Sequence, residues 1–173
     1  MLDWILALPA LAAVLLLLGT LAGAFLPRES IVSRTLQLHK TMDEAWKVIL
    51  DFPGQVSWRK DLKRVESLPG GERREAWREA FRNGGDWILE TSVSKAPTLL
   101  RRTLLGKNGN PLGRWDFQLS PTPEGCWITL TERVQVPNPL FRFLGRYVFP
   151  RARRVEGYLR DLAAKFGEKP VLE

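Results

Sequence analysis

From Trp4 to Leu26 the chain runs for 23 residues without an ionisable side chain, and Asp3 is the only charged side chain before that run. A helix of about 20 apolar residues is what covers the hydrocarbon core of a bilayer. The segment therefore reads as a transmembrane helix, with the charged remainder of the chain as a domain held against a membrane.

A cleaved secretory signal is the competing reading, and Ala22-Gly23-Ala24 fits its small-x-small cleavage pattern. A signal has a positive n-region and an apolar core of roughly 7–15 residues. Here the n-region is Met-Leu-Asp and the apolar run is longer, which favours a retained anchor. Arg28, Arg34 and Lys40 follow the run, so the positive-inside rule leaves the N-terminus outside and the domain cytoplasmic. Gly19 and Gly23 form a GxxxG pattern that can let another helix approach closely. Small residues are also simply common in membrane spans. Pro9 could kink the helix, which membrane helices tolerate.

All 26 Lys and Arg residues lie after the run, with all but one of the 19 acids. Residues 27–173 suffice for one domain with a real core. The basic excess suits nucleic acid or anionic headgroups. With an anchor present, lipid is the simpler partner, and no nucleic-acid motif accompanies the charge. Cys126 is the only cysteine, which excludes an intrachain disulfide and a thiolate zinc cluster. His39 is the only histidine and sits at an expected strand end, so a His-based metal site or a triad would depend on it alone. No metal ligand, cofactor or catalytic residue is assigned.

Residues 31–38 alternate as a strand. Thr41-x-x-Glu44 is a capping box, and Met42, Ala45, Trp46 and Ile49 then form one apolar helical stripe. Pro53-Gly54 stops that helix, and residues 55–58 suggest a short further turn. Strands are expected at 62–68, 72–82, 86–94, 99–105, 113–120 and 125–136, with Asn83-Gly84-Gly85 as a hairpin turn. From Asn138 to about Phe166 the apolar period is helical, and Pro150 should kink or split the helix. The expected architecture is α+β: an antiparallel meander of about seven strands with an apolar face covered by a long C-terminal helix, plus the N-terminal span.

Particular residues carry a resemblance. They are Ala45-Trp46, Asp51-Phe52 and Trp58 around the first helix of the domain. Gly113-Arg114-Trp115 precedes Phe117 and Leu119, and residues 121–125 lead into Thr129-Leu130-Thr131-Glu132. Residues 138–143, NPLFRF, open the terminal helix. In these features the chain resembles the START-like helix-grip (SRPBCC) superfamily, in particular its bacterial polyketide cyclase/dehydrase and lipid-transport branch. The resemblance implies a curved sheet gripping a long helix, with an apolar ligand cavity between them, and no fixed reaction. Members bind lipids, sterols, isoprenoids or polyketides, and some cyclise polyketides. The N-terminal span departs from most of the family. The resulting division is an anchor over 1–26, a linker over 27–30, a helix-grip domain over 31–167 and a tail over 168–173.

Candidate cavity residues are Trp77, Glu79, Arg102, Trp115, Phe117, Leu119, Ile128, Leu130, Glu132, Tyr147 and Tyr158. Glu79 shares a strand face with Trp77 and Phe81, and Glu132 shares one with Leu130 and Val134. A carboxylate on an apolar face is costly unless paired. Each is a polar handle inside the cavity, a general acid, or half of an ion pair, with an arginine such as Arg102 or Arg151 as the partner for Glu132. The aromatic residues are equally readable as pocket or plain core. Arg142, Arg146, Arg151, Arg153 and Arg154, interleaved with Phe and Tyr, suit a membrane surface or a solvated helix face. The function expected is membrane-anchored binding of a hydrophobic small molecule or lipid. The alternatives are a cyclase/dehydratase-type enzyme and a non-catalytic subunit docked on a membrane complex through its span.

Overall fold

A computed structural model describes residues 2–69, 75–106, 108–148 and 152–173. The chain divides into two compact units, Met1–Ser30 with Gln135–Arg151, and Ile31–Val134 with Ala152–Glu173.

The second unit is built on an antiparallel sheet. Strands β1 (Glu29–Leu38), β2 (Leu62–Leu68), β3 (Ala76–Phe81), β4 (Asp86–Lys95), β5 (Leu99–Leu105), β6 (Pro111–Thr122), β7 (Gly125–Gln135) and β8 (Val171–Leu172) lie in the order β2-β3-β4-β5-β6-β7-β1-β8. Among the described residues the sheet has eight strands, where about seven were expected. β8 is a two-residue strand where a tail was expected, and it pairs antiparallel with β1 through Leu36–Leu172 and Gln37–Val171. Backbone bonds exchanged between Thr35 and Glu173 extend that ladder. β1 begins two residues before the expected strand. Side-chain hydrogen bonds join Ser33 to Thr131 and Thr35 to Thr129, a pairing that runs in opposite directions on β1 and β7.

Between β1 and β2 lies helix α2 (Met42–Leu50), capped as its sequence predicts. The Thr41 hydroxyl accepts from the Glu44 N–H, and the Glu44 carboxylate accepts from the Thr41 N–H. This reciprocal bonding holds the Glu44 carboxyl below its usual range. Ala45, Trp46 and Ile49 face the core, and a short 3₁₀ turn over Pro53–Ser57 follows. Helix α4 (Ala152–Lys165) buries Val155, Tyr158, Leu159, Leu162 and Ala163. They join Leu100, Trp115, Phe117, Leu119, Ile128 and Leu130 from the sheet in one core.

The first unit pairs helix α1 (Leu2–Ala24) with helix α3 (Pro139–Tyr147). The expected long terminal helix is thus two helices, α3 and α4. Pro150 and Arg151, where the break was predicted, lie outside the described residues. α1 provides the expected helical backbone over 23 residues. Among the described residues, however, no helix is long and apolar enough to cross a membrane. The crossing expected from the sequence is therefore not part of the observed fold.

Candidate functional site

Alternation along β3, β5, β6 and β7 turns Trp77, Glu79, Arg102, Trp115 and Glu132 to the same side as the apolar core. Across the sheet, Glu79 stands opposite Trp87, Arg102 opposite Trp115, and Trp115 opposite Glu132. Trp115 therefore separates Arg102 from Glu132, so the pairing of Glu132 with Arg102 does not form, while Arg151, the other expected partner, lies outside the described residues. Glu132 Oε1 instead accepts from Trp115 Nε1 at 3.0 Å and from Arg154 Nη1 at 3.1 Å.

Arg102 pairs with Glu79. The other Glu79 oxygen accepts from Arg59 Nη1 at 2.9 Å. Arg59 was not singled out by sequence reading, yet it is among the most deeply buried side chains. Its guanidinium also donates to both Asp61 oxygens, at 3.1 and 2.9 Å, and to Gln55 Oε1 at 3.0 Å. Gln55 is fixed in turn by donating to the Ile49 carbonyl at 2.8 Å. Burial opposes the Arg59 charge, but the Glu79 and Asp61 carboxylates more than offset it and raise its pKa.

Aromatic rings close over this cluster. Arg102 lies 4.0 Å from the centre of the Phe52 ring and Arg59 lies 5.0 Å from that of Tyr158. Tyr158 packs edge-on to Trp58 and Trp115. Burial pushes the Tyr158 phenol well above its ordinary pKa, with Arg59 opposing, so the group remains a proton-bearing donor. Several polar atoms are buried without a hydrogen-bond partner among the described residues: Arg102 Nε and Nη2, Trp77 Nε1, Tyr158 OH and Glu132 Oε2.

A cleft of about 460 Å³ opens beside the cluster. Phe81, Trp87 and Tyr158 supply its aromatic lining. Lys60, Asp61, Arg153, Arg154 and Asp161 supply charge, and Gly157 completes the wall on α4. Arg154 stacks 4.1 Å over Trp87, and Asp161 accepts from the Lys60 N–H at 2.8 Å. Cleft and cluster meet at Tyr158 and Asp61.

The predicted cavity residues are thus distributed. Glu79 and Arg102 form the cluster, and Tyr158 borders both it and the cleft. Trp115, Phe117, Leu119, Ile128 and Leu130 are buried in the core, and Trp77 packs against it. Tyr147 is exposed on α3, its ring 5.2 Å from that of Phe143. Arg153 and Arg154 line the cleft. Arg142 and Arg146 lie on α3, and Arg151 lies outside the described residues. Among the described residues no group of three or more His, Cys, Asp or Glu is placed to hold a metal ion.

A sheet gripping a helix, with a cleft beside a buried polar cluster, defines a helix-grip protein. The family described as polyketide cyclase / dehydrase and lipid transport matches residues 31–167, and the chain belongs to it. A search of curated proteins gave no match. Among solved structures, the chain is similar to the Zhui aromatase/cyclase of Streptomyces sp. R1128, with 14% identity and a TM-score of 0.62 over 79% of this chain and 93% of that one. It is also similar to a START superfamily protein of Mycobacterium smegmatis, with 16% identity and a TM-score of 0.58 over 78% and 95%. Truncated norcoclaurine synthase of Thalictrum flavum matches with 11% identity and a TM-score of 0.62 over 80% and 93%. At these identities the likeness is one of fold.

Proposed function

We propose that this chain binds a hydrophobic small molecule or lipid that carries a hydrogen-bond acceptor, in the cleft beside Tyr158, while α1 attaches it to a membrane. The observation that carries this reading is the set of donors left over in the cluster. Tyr158 OH, on the cleft wall, is buried without a hydrogen-bond partner among the described residues, as are Arg102 Nε and Nη2, which do not line the cleft. A buried donor without a partner costs about 1–3 kcal/mol, which an acceptor on a ligand would recover. Phe81 and Trp87 would meet the apolar part of the same molecule. Apolar pockets with a few placed polar groups are the usual form of small-molecule sites. The run that opens the sequence, with basic residues only after it, favours attachment through α1 with the domain on the cytoplasmic side.

A cyclase/dehydratase-type enzyme is the second reading. The same cluster favours it, because fixed guanidinium donors beside a phenol would stabilise developing negative charge on a carbonyl oxygen. The likeness in fold to the Streptomyces aromatase/cyclase is consistent with it.

The test is native mass spectrometry of the full-length protein extracted with its own lipids, beside uptake of an apolar fluorophore. Carriage predicts a bound small molecule, recovered chemically unchanged and displaced by the fluorophore. Gly157→Phe, which fills the cleft from α4, should block uptake. Recovery of a molecule altered by the protein would favour the enzyme. Fluorophore binding that survives Gly157→Phe would place the ligand elsewhere.

A further inference from the structure

We infer that α3 enters the lipid bilayer beside the C-terminal half of α1, the two inserting as a helical pair with Arg146 reaching the headgroups. This rests on the membrane part of the function proposed above.

The small face of α1 is already occupied by its own chain. A Cβ added at Gly23 would fall on the carbonyl oxygen of Pro139, and one at Gly19 would lie 3.3 Å from Phe143 Cδ1 and 3.4 Å from Leu140 Cδ1. The glycine pattern therefore serves α3 and is not open to a second copy of α1. Arg142 fastens the pair by donating to the Leu26 carbonyl at 2.8 Å and the Pro137 carbonyl at 3.3 Å. The first of these bonds satisfies a carbonyl just beyond the end of α1, which has no basic residue in its last turn.

The direction of α3 sets its depth. Pro139 lies at Gly23 and Phe143 at Gly19, so α3 runs back along α1. Nine residues span about 14 Å, about half of a hydrocarbon core of roughly 30 Å. α3 can thus share one leaflet with α1 without crossing.

The lining between the helices suits hydrocarbon. A groove of about 610 Å³ runs from Ala12 to Ala22 on α1 and is closed by Leu140, Phe143 and Leu144 of α3. The outer surfaces are apolar as well. Leu8, Leu11 and the unbroken run Val14 to Leu18 are exposed on α1, Phe141 and Tyr147 on α3, and Val148 just after it. Five consecutive exposed apolar residues occupy every side of a helix at 3.6 residues per turn. A protein groove covers one face, whereas lipid tails surround all of them, so the occupant inferred is the bilayer. Arg142 and Arg146, one turn apart, share an edge of α3. Arg142 is held by the two carbonyls, whereas the long stem of Arg146 allows its guanidinium to reach back toward phosphate.

The experiment uses the full chain in vesicles of phosphatidylcholine and phosphatidylglycerol. In a Cys126→Ala background, an environment-sensitive fluorophore is placed through Leu17→Cys, Phe141→Cys or Glu124→Cys. Each label is quenched by nitroxides on the lipid acyl chains or by aqueous iodide. Labels at 17 and 141 should lose most of their emission to the acyl-chain nitroxide and resist iodide, with the label at 124 doing the reverse. Quenching at 17 without quenching at 141 overturns the helical pair and leaves attachment through α1 standing. Quenching at neither overturns both. Gly23→Leu should move the label at 141 to iodide while the label at 17 stays in lipid, and Gly19→Ala should do so partially. A label at 141 that remains in hydrocarbon in Gly23→Leu overturns the pairing.

Discussion

Arg59 and Glu79, twenty residues apart in sequence and each with a side chain 1% exposed, form a 2.9 Å ion pair inside the helix-grip unit. Such a pair is costly to break from one side, because the surviving charge stays buried without its counter-ion. Here Glu79 balances two guanidiniums, Arg59 and Arg102. Glu79→Gln should therefore destabilise the protein by about 3–5 kcal/mol. The partly exposed pair of Arg34 and Glu156 is the comparison. Glu156→Gln should cost no more than about 1 kcal/mol. Urea denaturation of both variants measures the difference.

Trp115 does more than fill the core. Its indole N–H is one of two donors that Glu132 Oε1 receives. Trp115→Phe keeps an aromatic ring but removes that donor from a carboxylate that is 1% exposed. The expected loss is about 1–3 kcal/mol, with a further contribution from the volume removed. Adding Glu132→Gln to Trp115→Phe should recover part of the loss, and the resulting double-mutant cycle measures the coupling.

Gly157 stands on α4 at the cleft, and an added Cβ there meets nothing within 4 Å. Glycine within a helix is less favourable than alanine by about 0.5–1 kcal/mol. Gly157→Ala should raise the melting temperature while leaving fluorophore uptake intact. Gly157→Phe should abolish uptake at undiminished helicity. The two variants together separate occupancy of the cleft from stability of the helix.

Alkali should weaken the fold in a defined window. Burial, reinforced by Glu168 and Glu44, pushes the Cys126 thiol from 9.0 to about 11. The folded state thus holds this proton more tightly than the unfolded chain. The associated stability is fully present below about pH 9 and is lost as pH rises through about 11, at a limiting slope of about 1.4 kcal/mol per pH unit. Tyr158, also raised by burial, acts in the same sense at higher pH. Cys126→Ala should flatten the first part of the decline in a series of denaturation curves between pH 8 and pH 11.

The antiparallel meander, the capped α2 and the apolar face of the terminal helix were legible because each rests on a strong local signal. Thr41 and Glu44 are three residues apart, and the strand periods are long. β8 was not legible, since Val171 and Leu172 are too few to show alternation. The carboxylates at 79 and 132 stood out as misfits on apolar faces, but their partners did not. Arg59 lies in the basic stretch Arg59-Lys60-Asp61-Leu62-Lys63-Arg64, where nothing local separates a buried guanidinium from a solvated one. The demand of Glu79 for a nearby cation was the available clue. The register explains why Arg102 answered Glu79: Trp115 stands between Arg102 and Glu132. The glycines at 19 and 23 signalled a close approach without naming its partner. Phe143 and Pro139 supply that partner from more than a hundred positions away.

The neighbourhood of β1 and β7 also bears on how fast the protein folds. Ser33 reaches Thr131 across 98 positions of chain. The hairpins from β2 to β7 can form between near neighbours, whereas β1 must wait for β7 and for a large loop to close. Loop closure of this kind is paid in entropy before any contact rewards it, and non-local pairing slows folding accordingly. The slow step of refolding is thus expected at the seam between β1 and β7. Until it closes, β7 presents an uncovered edge, the kind of surface on which partly folded chains associate.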